Sequence, residues 1–504
     1  MSAAFGLHFG STSACLAVYK DGKTDVVAND AGDRTTPAVV AYTDHDQTVG
    51  LAAKQGIVRN ATNTICHVKQ VIGKSYKQHE KENSTSGSYA KVINKEDKIL
   101  YEVDYKEKTL HVSPEEVATK IYKKMMETAT SHGDGDIHDC VLTAPRDFSS
   151  QQRQILSDCA TKAGFNILRV INEPTAALLA YDIGQLDIEE YCNTVVYRLG
   201  GVSLDVTVVT CCNGMFRLLS TVTHADIGGD SFNDAIIEYF CGEFKRQWKE
   251  DIRGSKRSIS KLKVAAERCK HTLSTLPESQ CHVDSLYDGI DFNGKISRAR
   301  FEGLCSGLVQ RCLNPLETAL KEAGLQKNEI NKVILTGGAA KTPVLQSQLQ
   351  NYFPGAELLN STPPDEVIAV GAAKQAAILT GNENHESKQN EQETEVECIV
   401  SPIQIKLMTD DTATYSTIFP AMMPVPGRRQ RKIQLGPQQT SCVLEVFEQR
   451  DEENRILIGK VVLRDLPVQS EVLAVFHARR EGSIHITCTE KTSGKHADIL
   501  IEVE

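Results

Sequence analysis

FGLHFGSTSACLAVY, residues 5–19, and TVVYRLGGVSLDVTVV, residues 194–209, follow one plan: a β-strand, a glycine-bearing turn and a returning strand. A glycine turn presents backbone N–H groups to an anionic oxygen with no Cβ in the way. Two such hairpins facing each other make a clamp for a chain of phosphates. Gly10, Ser11, Thr12 and Ser13 form the first turn, and Gly200, Gly201, Val202 and Ser203 the second. The residue before each turn is where a carboxylate is expected to manage magnesium and water. Here those positions hold His8 and Arg198. Nucleotide binding is the first expectation, and catalysis is in question.

Outward from the hairpins, two more glycine pairs stand at close-approach loops: Gly228-Gly229 in DIGGD (226–230), and Gly337-Gly338 after the strand Lys332–Leu335. A single glycine turn between strands is ordinary structure. Four of them at strand ends of one α/β chain mark a ligand site. The segments between alternate in kind. Ser113, Pro114 and Glu116 spell an N-cap, N1 and N3, a capping box, and Val117, Ile121 and Met125 follow at helical spacing. A strand at Cys140–Thr143 ends at Pro145, and a helix carrying Ile155, Cys159 and Ala163 stops at Gly164. The strand Asn166–Ile171 leads into a helix over Pro174–Tyr181. Residues 76–110 read as polar and irregular, with short alternating stretches such as Ile99–Val103, helical patterns run from the third turn to about residue 325, and another helix begins near Gly371. This alternation predicts an α/β core.

Composition sets the outer bounds. The 504 residues suffice for several domains, and 40% hydrophobic with 24% charged residues is ordinary for a globular protein. A formal charge of -10 gives no global attraction to nucleic acid or membranes. No apolar run reaches the roughly 20 residues that span a bilayer, and no secretory signal is visible at the N-terminus. The 15 cysteines include no CxxC, so they read as reduced, buried thiols of a cytosolic protein, and no metal site is expected. Asn382–Glu397 is acidic, with Val396 its single aliphatic residue, and reads as a flexible linker between domains 1–381 and 398–504. Alternating runs at Cys442–Phe447, Leu457–Leu463, Val472–Phe476, Ile484–Cys488 and Ile499–Val503 make the second domain all-β. The basic run Arg428, Arg429, Arg431 and Lys432 reads as a solvated turn, with contact to RNA phosphates as the functional alternative.

RVINEPTAALLAY (169–181), the two hairpins, DIGGDSF (226–232), AERCKHTLST (266–275), LTGGAAKTP (335–343) and PPDEVIAVGAAKQAAIL (363–379) together resemble the heat-shock protein 70 family, in order and spacing. The resemblance covers residues 1–381 and continues more weakly to the end. It implies an actin-like two-lobed ATPase fold followed by a small, truncated β-sandwich of the substrate-binding kind, with no helical lid.

It also implies a site. Gly10 to Ser13 and Gly200 to Ser203 would lie on the phosphates of ATP, with Gly228, Gly229 and Asp230 nearby. Lys69 would stand near the γ-phosphate and Glu173 by the attacking water, with Asp205 as the remaining carboxylate; these three are the candidate catalytic residues. Glu267, Lys270, His271 and Ser274 would hold the ribose and adenine, and Gly337, Gly338, Ala339, Lys341 and Asp365 the far side. Lys341 replaces an arginine of the family, so planar stacking on the adenine is lost. His8 and Arg198 replace its two aspartates, Val202 a glycine and Ser203 a threonine. With His8 neutral, the charge at the two replaced positions changes from -2 to +1. Arg198 is expected either to pair with phosphate oxygens, taking over part of magnesium's role, or to turn outward to solvent.

The family's leucine-rich linker is absent, and the loop Asp410–Ser416 lacks the glycines of a peptide groove. Such a chain is most similar to the atypical branch of the family found in the ribosome-associated complex. That branch pairs with a zuotin-type J-domain protein, acts on nascent polypeptides at the ribosome, and stimulates a conventional heat-shock protein 70. The implied function is an ATP-binding chaperone or cochaperone subunit of the cytosol, with weak or no hydrolysis. The alternatives are an active ATP-hydrolysing peptide-binding chaperone, a small-molecule kinase of the same superfold, and a nucleotide-independent scaffold.

Overall fold

The computed structural model describes residues 4–20, 23–81, 90–132, 137–183, 192–212, 215–381, 398–409, 412–436, 439–450, 454–479 and 482–502. Its contacts divide the chain into two units, Met1–Glu393 and Thr394–Glu504. The expected linker Asn382–Glu397 lies outside the described residues, as do the first two residues of the loop Asp410–Ser416.

The first unit is built on one sheet pattern used twice. In one lobe the strand order is Asn166–Asn172, Asp139–Ala144, Ala4–Phe9, Ser13–Lys20, Lys23–Val26. In the other it is Glu357–Leu359, Lys332–Thr336, Cys192–Leu199, Leu204–Cys212, Met215–His224. In both, the first strand of the glycine hairpin sits in the middle. It pairs antiparallel with its hairpin partner and parallel with the strand on its other side. Parallel pairing demands crossovers, and helices supply them, covering the sheet faces. The carboxyl ends of the central strands therefore point into the space between the lobes. Gly10, Pro145 and Glu173 follow three strands of the first sheet, and Gly200 and Gly337 follow two of the second.

Local sequence explains the helices that hold this frame. Ser113 and Glu116 cap the helix Pro114–Ser131 reciprocally, and Val117, Ile121 and Met125 are buried on its core face. Phe232, Ile236, Phe240 and Phe244 repeat every fourth residue on Gly229–Trp248 and fill the core of the second lobe. Val367–Gly381 crosses both the helix Glu173–Ala180 and the strand Ala4–Phe9 at very close range. A Cβ on Gly371 would lie 1.7 Å from the Ala176 carbonyl oxygen. The closeness of that crossing fixes the helix carrying Glu173 against the strand carrying His8.

Some elements differ from the sequence reading. The helix expected near Gly371 begins at Val367, because Val367, Ile368 and Ala369 are already buried. The helical stretch toward residue 325 is broken by a β-hairpin, Glu278–Tyr287 with Ile290–Ser297. The irregular 76–110 region carries a three-stranded antiparallel sheet, Lys91–Lys95, Lys98–Tyr105 and Lys108–Val112.

The second unit has two four-stranded antiparallel sheets. Ile405, Leu444 and Val446 of one meet Ala474, Phe476 and Ile486 of the other in a common core. No helix occurs among its described residues. The basic run is not a turn. It forms the strand Gly427–Gln434, at the edge of its sheet, paired in full with Glu471–Ala478.

Candidate functional site

The two glycine turns are closed in the same way. Gly10 N–H donates to the Ser13 carbonyl at 2.9 Å, and Gly200 N–H to the Ser203 carbonyl at 2.9 Å. The turns also touch. A Cβ on Gly201 would stand 2.3 Å from Thr12 Cγ2. With Gly337, Gly338 and Asp365, they line a cavity of about 40 Å³. A cleft of about 1060 Å³ opens beyond them, lined by Thr12, Lys69, Asp205, Asp230 and Glu267 among others.

Several expected phosphate donors are already used. Gly229 N–H bonds the Gly200 carbonyl, Asp230 N–H the Gly201 carbonyl, and Gly337 N–H the Pro364 carbonyl. These bonds lock the third and fourth glycine loops to their neighbours. Gly337 takes φ +85°, and a Cβ there would sit 2.2 Å from the Leu199 carbonyl oxygen, a conformation and a contact that glycine alone accepts. The N–H groups of Ser11, Thr12, Gly201 and Val202 carry no partner among the described residues and remain for a ligand.

Behind the turns lies a cluster of buried charge. Lys69 Nζ bonds Glu173 Oε1 at 2.5 Å, and Arg198 Nε forms an ion pair with Glu173 Oε2 at 2.8 Å. Arg198 Nη1 donates to Asp205 Oδ2 and, at 3.1 Å, to Ser203 Oγ. Asp205 Oδ1 accepts from Thr223 Oγ1 at 2.8 Å. Arg198 is 9% exposed and turns inward, not to solvent. Burial pushes the Glu173 carboxyl up, but Arg198 and Lys69 outweigh it and hold it down at about 2. Burial likewise lowers Lys69, with Glu173 opposing, and both burial and the neighbouring cations lower His8 to about 3. His8 is therefore neutral. Its Nδ1 lies 3.0 Å from Thr143 Oγ1, and its Nε2 faces the first turn, 3.4 Å from where a Cβ on Gly10 would be.

A magnesium ion, which the resemblance implies here, does not fit these donors. Both oxygens of Glu173 are ion-paired, to Lys69 and to Arg198, and both of Asp205 accept from Arg198 and Thr223. Among the described residues no group of three His, Cys, Asp or Glu side chains is placed to hold a metal.

The remaining predicted residues spread along the cleft. Glu267 takes Lys54 from the opposite lobe at 2.8 Å. Lys270 Nζ reaches the Gly229 carbonyl at 2.9 Å, bracing the third loop from behind. Lys341 pairs with Asp365 at 2.7 Å. Ser274 Oγ bonds back to the Lys270 carbonyl within its own helix, and His271 is exposed. His271, Ser274, Ala339 and Lys341 line neither of the two cavities. The sequence reading left out Lys54, His67 and Asp147, which do line the cleft. His67 faces Asp230 across it, with Nε2 at 3.6 Å from the carboxylate. The proximity of His67 to Lys69 in sequence was the one available signal.

Duplicated sheets, paired glycine turns at their strand ends and a following β-sandwich define a class that comparison makes specific. The family model for Hsp70 protein matches residues 4–504, so the chain belongs to the Hsp70 family, whose members are nucleotide-binding chaperones with an actin-like ATPase fold. Within it, the chain is 46% identical over 505 residues to Heat shock 70 kDa protein 14 of Danio rerio, covering 99% of each. It is 46% identical over 507 residues to the Xenopus tropicalis protein of that name and 44% over 509 residues to the human one, again at 99% coverage. Among the described residues no helix is long and apolar enough to cross a membrane.

Proposed function

We propose that this chain holds ATP as a structural ligand and acts as a chaperone subunit with a J-domain partner at the ribosome, assisting nascent polypeptides in the cytosol. One observation carries the first half of this reading: Glu173, the carboxylate placed to orient an attacking water, is bound on one oxygen by Lys69 and on the other by Arg198. A carboxylate held at about 2 by two cations is a poor proton acceptor. Each 1.4 kcal/mol of lost transition-state stabilisation slows a reaction about tenfold. The clamp, the cleft and Lys69 still serve binding. The second half rests on similarity to Heat shock 70 kDa protein 14 over nearly the whole chain.

The test is purification of the full chain from cells. Intact ATP in the protein, single-turnover hydrolysis at background, and co-purification of a J-domain protein with ribosomal subunits are expected. Hydrolysis well above background, abolished by Lys69→Ala, would establish instead an active, peptide-binding chaperone.

A further inference from the structure

We infer that the phosphate clamp binds nucleoside triphosphate without a divalent metal, with Arg198 as its resident cation and His8 as an uncharged lining group. The inference rests on the nucleotide-holding reading above and deepens it. Three nitrogens of the Arg198 guanidinium have separate tasks. Nε is ion-paired with Glu173, and Nη1 donates to Asp205 and Ser203. Nη2 has no partner among the described residues and lies 3.8 Å from the position of a Cβ on Gly200, against the second turn. His8 is placed alike at the first turn. Its Nδ1 is occupied by Thr143, and its Nε2 lies toward Gly10. Thr143 gives its own hydroxyl proton to the Leu7 carbonyl at 3.4 Å, so the neutral ring donates Nδ1–H to Thr143 and turns an uncharged Nε2 to the same cavity. Arg198 and His8 both line that cavity with the unpartnered turn amides.

Charge supports the assignment. Lys69 and Arg198 contribute two positive charges, Glu173 and Asp205 two negative, and His8 none. The floor of the clamp is neutral before any ligand arrives. With carboxylates in place of His8 and Arg198 it would carry three negative charges, and a polyphosphate would need a bound cation to approach. A guanidinium fixed by two carboxylates is pre-organised to give charge-assisted hydrogen bonds to phosphate oxygens. It loses little further entropy in doing so.

The experiment is calorimetric titration of ATP into the nucleotide-stripped full chain, once with magnesium and once with excess EDTA. Affinities within about threefold of each other are expected, because a metal worth more than RT ln 3 is not being used. A loss above about tenfold on chelation would overturn the inference and leave the nucleotide-holding reading intact. Absence of binding in both conditions would overturn both. The paired variant His8→Asp/Arg198→Asp, checked for folding by thermal melting, should bind only when magnesium is present. Metal-free binding by the folded double variant would show that neither residue is the counter-charge. The wild-type comparison decides the matter should the variant not fold.

Discussion

The first and second hairpins share register, turn closure and position in their sheets, yet the residue before each turn differs in kind. His8 is a neutral ring held by Thr143. Arg198 is a permanent cation held by two carboxylates. The backbone hydrogen bond that closes the turn is 2.9 Å in both. Turn geometry is thus set by glycine and by strand pairing, and the charge delivered to the phosphates can be changed without disturbing it. The difference also assigns labour. The second hairpin carries the electrostatics of the clamp, and the first supplies shape without charge.

The largest effect expected from breaking this comparison is at Arg198. Arg198→Ala removes one partner from a buried network, leaving Asp205 without its cation and Glu173 with Lys69 alone. Breaking a buried pair in this way costs about 3 kcal/mol or more. Denaturant unfolding followed in the first unit should show it. His8→Ala should cost clearly less, since removing a neutral ring strands no charge and Thr143 keeps its bond to the Leu7 carbonyl. Equal losses at the two positions would remove the asymmetry between the hairpins.

A second test concerns the contact between the turns. Gly201→Ala places a methyl group 2.3 Å from Thr12 Cγ2. The turns must separate or Thr12 must rotate, at a cost of about 1–2 kcal/mol. Thr12→Ala removes the obstructing methyl and hydroxyl. The double variant should therefore recover most of the stability, with a coupling of about 1 kcal/mol in a double-mutant cycle. Additive losses would mean that the turns do not touch in solution.

The duplicated core was legible because its signals are local. Glycines at strand ends, the capping box at Ser113 and Glu116, and apolar residues at helical spacing each lie within a few residues. What was missed lies in pairings between distant segments and in one weakly patterned hairpin. The strand Gly427–Gln434 has its charged residues exposed and owes its form to hydrogen bonds from Glu471–Ala478. The hairpin Glu278–Ser297 alternates buried Ser279, Cys281 and Val283 with exposed polar residues, a faint signal beside the long helix preceding it. At the site, Lys69 and Glu173 stand 104 residues apart, and His8 and Thr143 stand 135 apart. No periodicity links them. The sequence showed that His8 and Arg198 were unusual and left two orientations open for Arg198. The carboxylates closing around the guanidinium chose the inward one.

A third effect, well below that of Arg198→Ala, separates the hairpins by pH. His8 is lowered from 6.5 to about 3 in the fold, by burial and by Lys69 and Arg198. As pH falls through 6.5 the unfolded chain takes up a proton that the folded ring refuses until about pH 3. Stability is therefore lost across that window, at a limiting slope of about 1.4 kcal/mol per pH unit. Glu173 acts in the same direction but later. Its contribution is whole above 4.5 and is lost only as pH falls toward about 2. Between pH 6.5 and 4.5 His8 acts without Glu173, and Arg198 does not titrate. His8→Gln keeps a hydrogen-bonding side chain beside Thr143 and removes the titration. Over those two pH units the wild type should lose about 2 kcal/mol relative to the variant. Denaturation curves at closely spaced pH values measure the difference directly, and all other groups cancel in the comparison. Parallel stability profiles for the two proteins would mean that His8 carries its proton in the fold. The first hairpin would then be a second cation at the phosphates, and the division of labour between the turns would disappear.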